Sequence, residues 1–254
     1  LSRRAGAVEP GPQAERLAAS QVARQADQLQ EDFRRLTDRI SRPLVLGREG
    51  SAPGSLAREA FDWIEQIALR SGFSGDGAGL TLYDSQGKAL AWTGDSFPAP
   101  EGLLSFVPGP AIQFLCVAER RQSRVIGLTA IDDRRLVAEV VVDSLLDPAA
   151  RRLSFPSLGD ETLDKIQLQD YRKEATGFYD LLDRNGDRYP GTVSGRRRPL
   201  FVGLRAPYGG FLGFATLRGL SPDDLDRQRQ SDHQVAALLA LLAAFGLALA
   251  MTAL

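Results

Sequence analysis

The sequence predicts an α+β protein: a long N-terminal helix, two antiparallel-sheet modules and a C-terminal transmembrane helix. Three observations predict it. Residues 13–42 contain no Gly or Pro and carry an apolar residue every three or four positions. Between 77 and 218, short apolar runs alternate with turns containing Gly, Asp and Asn. Residues 235–254 carry no charged side chain, and about 20 residues of helix cover a hydrocarbon core of about 30 Å.

The chain has 254 residues, 43% of them hydrophobic and 25% charged, and that is ordinary globular composition. A net charge of −1 offers no global attraction to nucleic acid or to an acidic substrate. Cys116 is the only cysteine, so an internal disulfide is excluded. His233 is the only histidine. It excludes multi-His metal sites and leaves one candidate for a His-dependent triad, at the edge of the apolar run. The first residue is Leu rather than Met, and the expectation is a fragment or processed product.

Taken in order, residues 1–12 are polar and read as a disordered segment. Residues 13–72 form the N-terminal helices. In the first, Ala19, Val22, Ala26, Leu29, Phe33, Leu36 and Ile40 make a heptad seam, and Pro43 is expected to end it. Such a seam packs on its own domain or pairs with a second chain. In the second case Val22, Leu29, Phe33, Leu36 and Ile40 are the candidate dimer and transmission residues. Residues 47–54 read as a loop, and Ser55 opens a second helix running to about Arg70.

Residues 73–150 form the first module. Leu80, Leu82, Leu90 and Trp92 supply a period-two pattern around the turn Asp84-Ser-Gln-Gly. Strands follow at 111–118 and 124–131, then an expected helix at 133–146. Residues 151–220 form a second, smaller module. Leu181-Leu-Asp-Arg-Asn-Gly lines up with Leu82-Tyr-Asp-Ser-Gln-Gly and is read as a second hairpin, with strands at 199–205 and 210–218. Residues 221–254 read as a juxtamembrane helix, capped by Ser221 and Pro222, continuing into the membrane.

This order of elements, with the repeated Leu-x-Asp-x-x-Gly segments at 82–88 and 181–187, resembles the extracytoplasmic PAS-like, double-Cache sensor region of bacterial transmembrane receptors. Sensor histidine kinases and chemoreceptors carry such regions. The resemblance implies two PAS-like modules, a periplasmic location on the bacterial inner membrane, a first membrane helix ahead of the long helix and outside the chain, no catalysis in this region, and a small-molecule pocket on the sheet of the first module; the chain's own pattern adds the single-pass C-terminal helix and a homodimer along the seam. A catalytic kinase domain would follow outside the chain. No ligand class and no cofactor carries over residue by residue.

Four residues of the first sheet are the ligand-binding candidates: Tyr83, Trp92, Phe114 and Arg124. Core packing explains the aromatics equally well. An open concave pocket near Trp92 would favour a sensor. A tight, filled sheet would favour a membrane-tethered interaction or assembly subunit without a small ligand. Other constellations read as structural. Asp183-Arg-Asn-Gly-Asp begins like a calcium loop but has Arg188 and Ser194 where that pattern requires Gly and Glu. Cys116 lies in an apolar strand with no histidine near it in sequence. The glycines at 203–219 make no phosphate loop, and Arg196–Arg198 read as a solvated turn. No spacing marks a catalytic pair or a metal site.

Overall fold

The computed structural model describes residues 12–50, 53, 57–73, 75, 77–95, 102–103, 111–144, 149–158, 162–174, 177–190 and 199–219. Helix α1 (Pro12–Glu49) and helix α2 (Ala57–Ser71) precede two antiparallel sheets. The first contains β1 (Ala78–Tyr83), β2 (Ala89–Gly94), β3 (Gln113–Ala118), β4 (Gln122–Ile131) and β5 (Arg134–Ser144), in the order β2-β1-β5-β4-β3. Helix α3 (Ala149–Ser154) leads to the second, built from β6 (Leu163–Leu168), β7 (Arg188–Pro190), β8 (Leu200–Arg205) and β9 (Phe211–Leu217), in the order β6-β9-β8-β7. Helix α4 (Phe178–Arg184) lies between β6 and β7 in the chain.

The expected membrane helix needs correction. No helix of the described residues is long and apolar enough to cross a membrane. Helix α1 is long but amphipathic, with Glu31, Arg34, Arg35 and Asp38 paired along its outer face. The fold class is therefore α+β, a long helix with two antiparallel sheets. Residues 220–254, on which the membrane reading rested, lie outside the described residues, as do His233 and Arg196–Arg198.

Three elements differ from the sequence reading. Helix α1 runs through Pro43, because Leu44 and Gly47, beyond the expected stop, pack on the first sheet. The approach is close: a Cβ at Gly127 of β4 would lie 2.5 Å from Ile40 and 2.8 Å from Leu44. Within the expected helix 133–146, Arg134–Ser144 form strand β5 instead. It sits between β1 and β4, is buried on both faces, and so shows no polar alternation. Its Val137, Val140, Val141 and Val142 favour the strand. Segment 181–187 is the end of α4 and a turn rather than a hairpin. Tyr179 and Leu182 pack inward, and Gly186 and Asp187 turn the chain with φ of 64° and 66°. The first Leu-x-Asp-x-x-Gly segment does form a hairpin: the Asp84 carboxylate accepts from the Gln86 and Lys88 amides, and Gly87 has φ 79°.

One core joins α1 to both sheets. Leu29, Phe33 and Ile40 of α1 pack in the same cluster as Leu80, Val125 and Leu136 of the first sheet and Val202, Leu204 and Ala215 of the second. Polar ties accompany it. Asp32, 2% exposed, accepts from the Ser157 amide and hydroxyl at 2.9 Å each. Asp27 and Gln30 hold Arg188 of β7.

Candidate functional site on the outer face of the first sheet

The register of the five-stranded sheet sorts its side chains. Leu80, Leu82, Val125, Leu136, Ala138 and Val140 face the helices. Thr81, Tyr83, Arg124, Ile126, Leu128, Val137 and Glu139 face the other way. This outer face carries a second apolar cluster of Tyr83, Leu103, Val117, Ile126, Leu128 and Val137, with Tyr171 packed against it.

A charge system is set into that apolar surface. Arg124 Nη1 donates to Glu139 Oε2 at 2.8 Å, and Nη2 donates to Glu119 Oε1 at 3.2 Å. The Arg124 and Glu139 side chains are only 3% and 4% exposed, whereas Glu119 stands at the rim with 43%. Gly79 lies opposite Glu139 on β1 and adds no side chain. Burial raises the Tyr83 phenol above its ordinary pKa, and the Glu139 charge adds to that; a hydrogen bond with Thr81 and the Arg124 charge oppose it. Among these residues there is a shared cation but no activated nucleophile with a base. The arrangement suits recognition of a polar group rather than bond-making.

Of the four ligand candidates, the structure brings two together. Tyr83 and Arg124 share the outer face, linked electrostatically through Glu139. Trp92 does not join them. It sits 48% exposed on edge strand β2, edge-to-face with Phe61 of α2 at 5.1 Å. Phe114 does not join them either: it packs into the helix-side core, because its position on β3 alternates away from Leu115 and Val117. The sequence reading missed Glu139, Glu119, Thr81 and Tyr171. A signal for Glu139 existed: one carboxylate inside Leu136-Val-Ala-Glu-Val-Val-Val demands a buried partner, and a strand reading would have sought it on β4.

The dimer-helix residues also receive another role. Leu29, Phe33, Leu36 and Ile40 are at most 5% exposed within the single chain, and Val22 is half-buried. Phe33 stacks on Phe155 at 6.4 Å. From Leu29 to Ile40 the seam packs on the protein's own sheets and α3.

The edge of the site is closed by a strap from the second module. The Gln169 amide donates to Leu212 O of β9 at 2.8 Å, and two residues on, the Tyr171 amide donates to Cys116 O of β3 at 3.0 Å. Between them Asp170, 2% exposed, forms a parallel bridge with Cys116. Its Oδ2 accepts from the Ala118 amide at 3.2 Å and from Arg172 Nη2 at 2.6 Å, and its Oδ1 from Arg172 Nε at 2.8 Å. This guanidinium fork, with the amides, holds the Asp170 carboxyl at about 2, below the ordinary 3.8. Cys116 is fully buried, and burial, with the Asp170 charge, pushes its thiol far up. It is inert in this setting.

The calcium-like carboxylates are engaged by a cation. Arg205 donates to Asp183 at 2.5 Å and to Asp187 at 2.6 Å. No group of three or more metal-ligating side chains occurs among the described residues. A hollow of about 560 Å³ lies elsewhere, between α1 and α2, bordered by Asp38, Arg42, Val45 and Arg70.

No family model, no curated protein and no solved structure matches this chain.

Proposed function

We propose that this chain is a non-catalytic sensor module of a signalling receptor, with its recognition site on the outer face of the first sheet. The observation that supports this reading is the buried Arg124–Glu139 pair beside Tyr83 and Thr81. A buried ion pair stabilises a fold little compared with apolar residues of the same volume. Its presence on a face that α1 and α2 leave uncovered fits a polar recognition role. The groups present, one cation shared by two carboxylates with a phenol nearby, suit a small molecule bearing both charges, of the amino-acid type.

The test is a thermal-shift and calorimetric screen of amino acids, short carboxylates and amines. It compares wild type with the double variant Arg124→Gln, Glu139→Gln, which removes both charges together. At least one compound is expected to raise the wild-type midpoint and to leave the variant unmoved. A screen in which no compound binds wild type, or in which the variant binds equally well, rejects the site.

A second reading is an interaction subunit without a small ligand. One observation favours it: Tyr83, Arg124 and Glu139 are each at most 5% exposed, and Trp92 stands at an edge rather than in a hollow. Protein capture without any response in the small-molecule screen would establish that reading.

A further inference from the structure

Three residues of one strand end bond alternately to two sheets. The Gln169 amide reaches β9 of the second sheet, and the Tyr171 amide reaches β3 of the first. The Asp170 side chain accepts the Ala118 amide at the end of β3. Gln169 Nε2 also donates to the Lys173 and Glu174 carbonyls at 2.9 and 3.1 Å, and this folds the rest of the loop back on itself. The strap therefore has its own local framework and meets β3 of the first sheet through the Cys116–Asp170 bridge and the Asp170 carboxylate on the Ala118 amide.

The strap also touches the proposed site. Tyr171 packs on the outer-face cluster beside Leu115. Glu119 directly follows Ala118, whose amide donates to the Asp170 carboxylate. Glu119 is the rim carboxylate that shares Arg124. An occupant engaging Arg124 would compete with Glu119, and a change in Glu119 acts next to the amide on which Asp170 holds the strap.

We propose that residues 169–172 form a latch between the two sheets, which opens on its own and whose closure is coupled to the charge system Glu119–Arg124–Glu139. This inference deepens the sensor reading and rests on it only for the identity of the trigger. In the closed state the chain of bonds Leu212–Gln169 and Tyr171–Cys116 ties β9 to β3. In the open state that edge of β3 is exposed while the shared core on α1 stays intact. Such an element changes a few hydrogen bonds and the packing of Tyr171 while the core on α1 stays in place, so its opening lies below global unfolding.

Native-state hydrogen exchange of the 254-residue chain tests it in two arms. In the first, the Tyr171 and Ala118 amides are expected to exchange through local opening, faster than amides of β4 and β5. Asp170→Asn is expected to speed those two by about tenfold or more and to leave β4, β5 and β8 unchanged. Exchange of Tyr171 and Ala118 only with global unfolding, or uniform acceleration everywhere, rejects the latch. In the second arm, Arg124→Gln with Glu139→Gln is compared with wild type at the same two amides. A shift there with the β8 amides unchanged supports the coupling, and no shift rejects it. The second arm is separable from the ligand screen: a chain that binds a ligand but shows no change at the latch keeps its site and loses this inference. A Glu119→Gln variant guards against misfolding of the buried double variant, because Glu119 is exposed at the rim, and it is expected to shift the same amides in an otherwise wild-type chain.

Discussion

At the residue scale, the outer face is dominated by what happens when one charge loses its partner. Arg124 and Glu139 are almost fully buried, with side chains 3% and 4% exposed, and each is the other's buried charge partner. Arg124→Ala leaves that charge uncompensated and is expected to destabilise the fold by about 3–5 kcal/mol. The double variant Arg124→Met, Glu139→Leu fills the same space with apolar groups and is expected to lie within about 1–2 kcal/mol of wild type. Urea denaturation of the single and double variants reads the difference, and equal losses would contradict the pairing. Asp170 behaves differently, because its carboxylate is stabilised by the Arg172 fork and two amides. Its pKa falls from 3.8 to about 2 on folding, so the native state favours the ionised form. The corresponding stability is present in full above pH of about 4 and is lost as pH falls toward 2, a contribution of about 2 kcal/mol. The stability gap between wild type and Asp170→Asn should therefore shrink on acidification across that window; a gap independent of pH would show that the ionised carboxylate is not what the strap uses. Cys116, by contrast, should resist a thiol reagent in the native protein and react at once in denaturant, as expected of a buried thiol whose pKa is raised.

At the element scale, α1 is the piece on which both sheets are built. Leu29 and Ile40 are fully buried, and Phe33 is buried against Phe155. Leu29→Ala and Phe33→Ala should each cost about 2–5 kcal/mol of stability while leaving the association state of the chain unchanged in analytical ultracentrifugation. Loss of a dimer without loss of stability would restore the seam to a partner helix. The periodicity of α1 was readable because a one-sided apolar stripe of period 3.6 fits little besides an amphipathic helix. What covers the stripe was not readable, since a sheet and a second helix ask the same of it. The same limit explains β5. A strand buried on both faces loses its alternation, and Leu136-Val-Ala-Glu-Val-Val-Val then has no period to distinguish it from a buried helix. The turn at Asp84–Gly87 and the one at Asp183–Gly186 share their residue types, because Asp, Asn and Gly serve a hairpin and a helix C-terminus alike. Only the inward-facing Tyr179 and Leu182, three positions apart, separate the second case. Within the site, Tyr83, Trp92, Phe114 and Arg124 were all legible as members of the first sheet, whereas the face each occupies was not, because strand order and facing depend on pairing that no short window contains.

At the scale of the whole molecule, the two sheets do not have separate interiors. The helix-side face of the first, with Leu80, Val125 and Leu136, and the inner face of the second, with Val202, Leu204 and Ala215, belong to one apolar cluster closed by α1. Neither sheet can cover that face alone: α2 packs on β1 and β2, and α3 on β5, so the remainder of both inner faces depends on the long helix. Removing residues 1–56 therefore exposes apolar surface on both sheets at once, and the truncated chain is expected not to fold, as judged by loss of a cooperative thermal transition. The full chain should unfold in a single step. Trp63 and Trp92 lie on α2 and β2 and report the first sheet by fluorescence. Amides of β8 and β9 report the second by hydrogen exchange in graded urea. Both probes should give the same midpoint and the same free energy. Asp170→Asn should leave those midpoints together, because the latch closes one edge while the core on α1 still joins the sheets. Midpoints that separate in the wild-type chain would show two independent units. Midpoints that separate only in Asp170→Asn would show that the strap, rather than α1, carries the mechanical continuity between the two sheets.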